Sequence, residues 1–120
     1  MYSNAGTETN ERSGWNEVIA MTKLEEKFTQ DLLSRIQKAE LLGVRGKRLA
    51  AQVEKDGGVR VMQELIRRER LSELFDGLEK AGHLELSPEA AVTESAYGQL
   101  FSDDEVNWCF QQLCDAGYYF

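Results

Sequence analysis

The stretch from Leu100 to Gly117 specifies a short helix at both of its ends, and it constrains the fold more than any other part of the chain. Ser102 and Glu105 have the spacing of a capping box, in which each side chain bonds the other residue's backbone amide. Gly117 stands where a left-handed residue would close the helix. Between these ends, apolar residues at i, i+3, i+4 and i+7 predict one buried stripe, made of Val106, Cys109, Phe110 and Leu113.

The same kinds of signal predict further helices upstream. Thr22 and Glu25 form a second capping box, and the apolar period that follows predicts a helix to about Leu42, stopped by Gly43. Two more helices are predicted over residues 45–55 and 59–70, with a Gly-Gly pair between them.

Ser72 predicts the N-cap of a fourth helix that ends at Gly82, and Ser87 followed by Pro88 predicts another helix start. The chain has a single proline and no β-rich run. We therefore expect an all-α fold, a compact bundle of five or six short helices.

The chain is expected to hold one helical domain over residues 21–120. Residues 1–20 are rich in Ser, Thr, Asn, Gly and Glu without a sustained period, which is typical of a disordered or weakly ordered segment. Within it, Trp15, Val18 and Ile19 are the residues that could dock as a short turn.

Charge is distributed unevenly along these 120 residues, whose net charge is −7. Residues 21–80 carry 13 bases and 11 acids, whereas residues 81–120 carry seven acids and no Lys or Arg. Such a division favours either complementary packing between helices or two faces for two partners. No apolar run is long enough for a membrane span, and the N-terminus lacks the apolar core of a secretory signal. We expect a cytoplasmic protein with no membrane partner.

Few residues have the pattern that catalysis requires. His83 is the only histidine, so any triad would have to use it. Cys109 and Cys114 are five residues apart, about 140° around a helix, and can neither bridge each other nor share a metal there. No glycine pattern matches a phosphate-binding loop. We expect no enzymatic activity, no cofactor and no metal.

The second half of the chain resembles a bacterial helical accessory domain to which no activity is assigned. The matching positions, over about residues 45–120, are Gly57-Gly58, Leu65-Ile66, Ser72, Phe75, Gly82-His83-Leu84-Glu85-Leu86-Ser87, Glu89-Ala90, Tyr97, Leu100-Phe101-Ser102, Glu105 and Gly117-Tyr118. His83 replaces the arginine usual in that pattern. The resemblance implies an accessory module of bacterial or mobile-element proteins, some of them near nucleases.

Basic residues between positions 45 and 70 form the first candidate surface. If the second and third helices present them on one side, they could contact nucleic-acid phosphates. The alternative is a solvated face with ion pairs such as those of Glu64 with Arg67 and Arg68. The candidate nucleic-acid-binding residues are Arg45, Lys47, Arg48, Arg60, Arg67, Arg68 and Arg70.

The acidic C-terminal third with its aromatic tail forms the second candidate surface, since aromatic side chains often anchor protein interfaces. The alternative is that the aromatic residues close the core. The candidate protein-binding residues are Glu85, Glu94, Trp108, Asp115, Tyr118 and Tyr119.

The sequence favours a non-enzymatic helical module that binds another protein, and it leaves the oligomeric state open. The resemblance and the small size suggest a regulator or inhibitor of phage or mobile-element origin. The alternative is a nucleic-acid-binding accessory domain that uses the arginine-rich helices.

Overall fold

The computed structural model describes the backbone of residues 5–118 and the side chains of residues 22–118. Within them the chain forms six α-helices and no β-strand, so the predicted all-α fold is confirmed. Two 3₁₀ turns, Leu84–Leu86 and Ser95–Tyr97, flank the fifth helix. The helices are α1 (Ala5–Leu41), α2 (Lys47–Asp56), α3 (Gly58–Arg67), α4 (Phe75–Ala81), α5 (Pro88–Val92) and α6 (Asp103–Asp115).

Helix α1 is much longer than the sequence predicts. Thr22 and Glu25 lie inside it, so the expectation that their capping box starts the helix is wrong. The backbone of residues 5–20 belongs to α1, and the weak order expected of residues 1–20 stays a prediction. The side chains of Trp15, Val18 and Ile19 lie outside the described residues. No described helix is both long and apolar enough to cross a lipid bilayer.

The core forms around α1, which packs against α2, α3 and α5. Its apolar stripe is buried as the period predicts, through Phe28, Leu32, Ile36 and Ala39. The ring of Phe28 meets those of Tyr97 and Phe101 edge to face, with centroids 4.9 and 5.2 Å away. Such aromatic pairs add to the burial term, and here they hold the segment before α6 against α1.

The glycine pair between α2 and α3 has two separate physical roles. Gly57 has a φ of +86°, which an L side chain rarely adopts. A Cβ on Gly58 would lie 2.9 Å from Leu32 Cδ1 and 3.2 Å from the Thr29 backbone. The amide of Gly58 instead donates a hydrogen bond to Thr29 Oγ1 at 2.9 Å. The pair therefore allows a sharp turn and a close approach of α3 to α1.

Helix α6 has the predicted ends but a different buried face. The Ser102–Glu105 capping box is present, and Gly117 adopts the left-handed conformation with a φ of +80°. Cys109 and Leu113 are buried as predicted, whereas Phe110 is 46% exposed, so its place on the buried stripe is wrong. Helix α6 packs against α5 and α3. That packing turns Trp108 toward the core and leaves Phe110 on the outer side.

Candidate interaction surface

The turn between α1 and α2 brings three of the predicted basic residues together. Arg45, Lys47 and Arg48 are exposed, and all three line an open cleft of about 720 Å³. Its other lining residues are Glu40, Gly43, Val44 and Glu73. Among the described residues, none of the three bases forms an ion pair with a carboxylate.

Two exposed leucines belong to the same turn. Leu41 is 88% exposed and Leu42 is 45% exposed, although both are large apolar residues. They lie in sequence between Glu40 and Gly43, which both line the cleft. We call Leu41, Leu42, Arg45, Lys47 and Arg48 the corner surface.

The corner surface breaks a local rule of helix stability. Lys47 and Arg48 are the first two residues of α2, and its first turn contains no acidic residue. Cations are disfavoured there because the helix N-terminus carries partial positive charge. A carboxylate from outside the helix compensates in part, since the Leu49 amide donates to Glu73 Oε1 at 2.5 Å. Residues that disfavour the local structure, and do not stabilise the fold in another way, are expected at functional sites.

The other predicted basic residues lie elsewhere on α3 and just after it. Arg67 and Arg68 both pair with the half-exposed Glu64, which lowers the pKa of that carboxyl, mainly through the hydrogen bond from Arg67. Arg60 lines clefts together with these residues, and Arg70 is exposed beyond the helix. The alternative reading, a solvated face with ion pairs, therefore describes Arg67 and Arg68.

Most of the predicted protein-binding residues make contacts within the chain. Glu94 pairs with Arg35. Asp115 accepts a hydrogen bond from Gln111 at 2.8 Å. Trp108 and Tyr118 are half-buried against the core. Glu85 is exposed and is described below with His83, and Tyr119 lies outside the described residues. Most of these residues therefore take part in contacts within the fold.

Arg35 joins α1 to the segments around α5. Its Nε donates to Asp31 Oδ1 at 2.8 Å and its Nη1 to the Glu85 carbonyl at 2.6 Å, while Nη2 bonds the Glu94 carboxylate. Tyr97 Oη donates to the other oxygen of Asp31 at 2.7 Å. The side chain of Arg35 is only 11% exposed, so these bonds replace its hydration.

The pKa values in this network follow from burial and from its hydrogen bonds. Burial alone would raise the pKa of Asp31, but the bonds from Arg35 and Tyr97 outweigh it, and the pKa is lowered from 3.8. Burial, followed by the bond to Asp31, raises the pKa of Tyr97 to about 12. The network thus holds Asp31 ionised and the Tyr97 phenol protonated near neutral pH.

Glu89 is a fully buried acid whose partner corrects one sequence prediction. Its two carboxylate oxygens accept from the Ser72 amide at 2.6 Å and from the Ser72 hydroxyl at 2.9 Å. Ser72 is therefore not the N-cap of α4, which starts at Phe75 after Leu74. Burial raises the pKa of Glu89 from 4.5, against the opposing effect of the bonds from Ser72.

Among the described residues, the Cys109 thiol and the His83 imidazole lie in contrasting environments, one buried and one exposed. Burial, together with the charges of Glu89 and Glu105, raises the pKa of the Cys109 thiol and disfavours its reactive thiolate. His83 is exposed and contacts the carboxylate of Glu85 at 2.9 Å. Within residues 22–118, no group of three or more His, Cys, Asp and Glu residues could hold a metal ion.

No protein-family model, curated protein or solved structure matches this chain. The resemblance to the bacterial accessory domain stays a prediction that rests on the matching residues. Several of those positions have structural roles here: Gly57 and Gly82 have positive φ values, and Glu89 holds Ser72.

Leu41 is the corner residue that periodicity could have identified. It follows Ile36 by five residues, about 140° around the helix, and so lies away from the buried stripe. The exposure of Leu42 and the burial of Glu89 depend on tertiary packing, for which the sequence offers no comparable signal.

Proposed function

We propose that this protein is a non-enzymatic helical module that binds another protein through the corner surface. The observation that carries the proposal is that Leu41, 88% exposed, lies close along the chain to three exposed cations, two of which occupy the unfavourable end of α2. Contiguous exposed apolar side chains rimmed by polar ones often mark interaction sites, and arginine is enriched at protein interfaces.

Site-specific photo-crosslinking in cells tests the proposal. A photoreactive amino acid replaces Leu41, Asp115 or Gln99 in three versions of the full chain. Leu41 probes the corner surface, Asp115 probes the acidic C-terminal third, and Gln99 is an exposed control. We expect a discrete crosslinked protein from the Leu41 position and none of that species from Gln99.

A charge-reversed variant of the corner surface tests whether the crosslink depends on that surface. The triple change Arg45→Glu, Lys47→Glu and Arg48→Glu should remove the Leu41 adduct, and an unchanged circular dichroism spectrum shows that the fold is retained. The same adducts from Leu41 and Gln99 would contradict the proposal. An adduct from Asp115 alone would move the binding surface to the acidic third.

Nucleic-acid binding is the second candidate function. It is favoured by Arg45, Lys47, Arg48, Arg60 and Arg70, which have no ion pair among the described residues. Duplex binding would show a steep loss of affinity with salt, because each neutralised phosphate releases counterions. A titration of duplex DNA at increasing salt therefore separates this function from protein binding.

A further inference from the structure

We propose that the corner surface binds an acidic amphipathic protein segment, which presents carboxylates beside apolar side chains. The inference rests on the proposed function and adds the chemistry of the partner. A helix or turn of such a segment would cover Leu41 and Leu42 and would place its carboxylates against Arg45, Lys47 and Arg48.

Leu41 and Leu42 supply the apolar part of the corner surface. Leu41 and Leu42, 88% and 45% exposed, stand next to each other at the end of α1. Val44, two residues further on, is already half-buried against the core and lines the adjoining cleft. Apolar residues therefore flank Gly43 on both sides along the chain, and the two leucines among them are exposed to a partner. Covering such surface favours association.

Arg45, Lys47 and Arg48 supply the charged part of the corner surface and complement carboxylates. The two arginines present planar guanidinium groups that bind carboxylates through paired hydrogen bonds, and Lys47 adds a third positive charge. No described carboxylate is paired with any of them. Carboxylates of a partner would also relieve the unfavourable position of Lys47 and Arg48 at the N-terminus of α2.

The cleft favours an acidic protein segment over a nucleic acid. Glu40 and Glu73 line it together with the three bases, so a dense row of phosphates would meet two carboxylates. The leucines, in turn, gain nothing from a phosphate backbone. A peptide can place apolar side chains near the leucines and carboxylates near the bases, and it can avoid Glu40 and Glu73.

Selection from a displayed library of random peptides tests the inference on the full chain. Peptides of about 16 residues, roughly four turns of helix, are selected on the immobilised protein. We expect enriched sequences to be acidic and to repeat apolar residues at helical spacing. The best of them is then synthesised with a fluorescent label, and its affinity is measured by anisotropy.

Three variants of the protein locate the binding site of that peptide. The pair Leu41→Ser and Leu42→Ser and the triple reversal of Arg45, Lys47 and Arg48 should each weaken binding by at least about tenfold. The control, Arg67→Glu with Arg68→Glu, reverses charges on two exposed arginines at the C-terminal end of α3 and should change the affinity by less than about twofold.

Several results would overturn the inference. One is the enrichment of basic or uncharged peptides, and another is no enrichment at all. A third is that the corner variants bind the selected peptide as tightly as the wild type does. If a DNA duplex binds more tightly than the peptide and depends on the same corner residues, the corner surface is instead a nucleic-acid site. Concentration-dependent self-association, lost in the corner variants, would make a second copy the occupant. Protein binding itself is judged separately, by crosslinking from Leu41.

Discussion

Phe110 and Leu113 differ in burial although both belong to the apolar pattern of α6. Phe110 is 46% exposed, whereas Leu113 is fully buried. We therefore expect Leu113→Ala to lower the free energy of unfolding by about 2–5 kcal/mol. Phe110→Ala should lower it by about 1 kcal/mol, because less apolar surface returns to water. Urea unfolding of the two variants provides the comparison, and an equal loss in both would show that Phe110 is part of the core.

The apolar period alone does not determine which margin of the α6 stripe is buried. Trp108 and Phe110 flank Cys109, and either could face inward on a helix. The choice is made by α5 and α3, which pack on the side of Cys109 and Leu113. The exposure of Phe110 thus depends on tertiary packing, which the local apolar pattern does not reveal.

Glu89 gives the protein a specific pH dependence of stability. Its pKa is raised above 4.5 by burial, so the folded state binds its proton more tightly than the unfolded state does. Its stabilising contribution is complete below pH 4.5 and is lost as the pH rises through the folded-state pKa. The difference in unfolding free energy, wild type minus Glu89→Gln, should therefore fall with rising pH and then level off. A difference that grows with pH would mean that the bonds from Ser72 outweigh burial.

Arg35 joins three segments of the chain that local structure does not connect. Its removal would leave Asp31 and Glu94 without their cation and the Glu85 carbonyl without a donor. We expect Arg35→Ala to lower the free energy of unfolding by about 2–4 kcal/mol, less than for a fully buried pair because Glu94 is 46% exposed. Arg67→Ala removes an exposed, solvent-screened pair with Glu64 and should change the free energy of unfolding far less than Arg35→Ala does. Similar losses in thermal or urea unfolding of both variants would contradict the role of the Arg35 network.

The first turn of α2 offers a test of the broken stability rule. Lys47→Gln with Arg48→Gln removes two positive charges from the helix N-terminus, where the helix dipole disfavours them, and adds no carboxylate beside Glu73. We expect the free energy of unfolding to rise by about 0.3–1 kcal/mol for each change at low salt, and the gain to shrink as salt is added. A loss of stability in urea unfolding would show that the two cations support the fold.

The ends of several helices were predictable because their signals are local. Ser87 and Ser102 cap α5 and α6 as the sequence predicts, and Gly43 and Gly82 adopt the positive φ of helix stops. Ser72 failed as a cap because its side chain bonds Glu89, 17 residues away. The predicted start of α1 at Thr22 is wrong because a capping-box pattern can also occur inside a helix. At the corner surface, the sequence predicts the basic residues as a group. The exposure of Leu42 is set by the turn after α1 and is known only from the structure.

For the whole molecule, the acidic third and the corner surface explain the division of charge in different ways, the first through contacts within the fold and the second through the binding function that we propose. Glu89 and Glu94 are held by Ser72 and Arg35, so part of the C-terminal acidity serves the fold. Arg45, Lys47 and Arg48 have no such role among the described contacts. The central claim is that a protein partner binds at the corner surface.

The most direct test is a ¹H–¹⁵N correlation spectrum of the full chain during titration with the protein that crosslinks to the Leu41 position. We predict that the largest amide shifts fall within residues 40–49, and that Leu41→Ser with Leu42→Ser abolishes them. Shifts that instead cluster within residues 103–118, and persist in that variant, would contradict the claim.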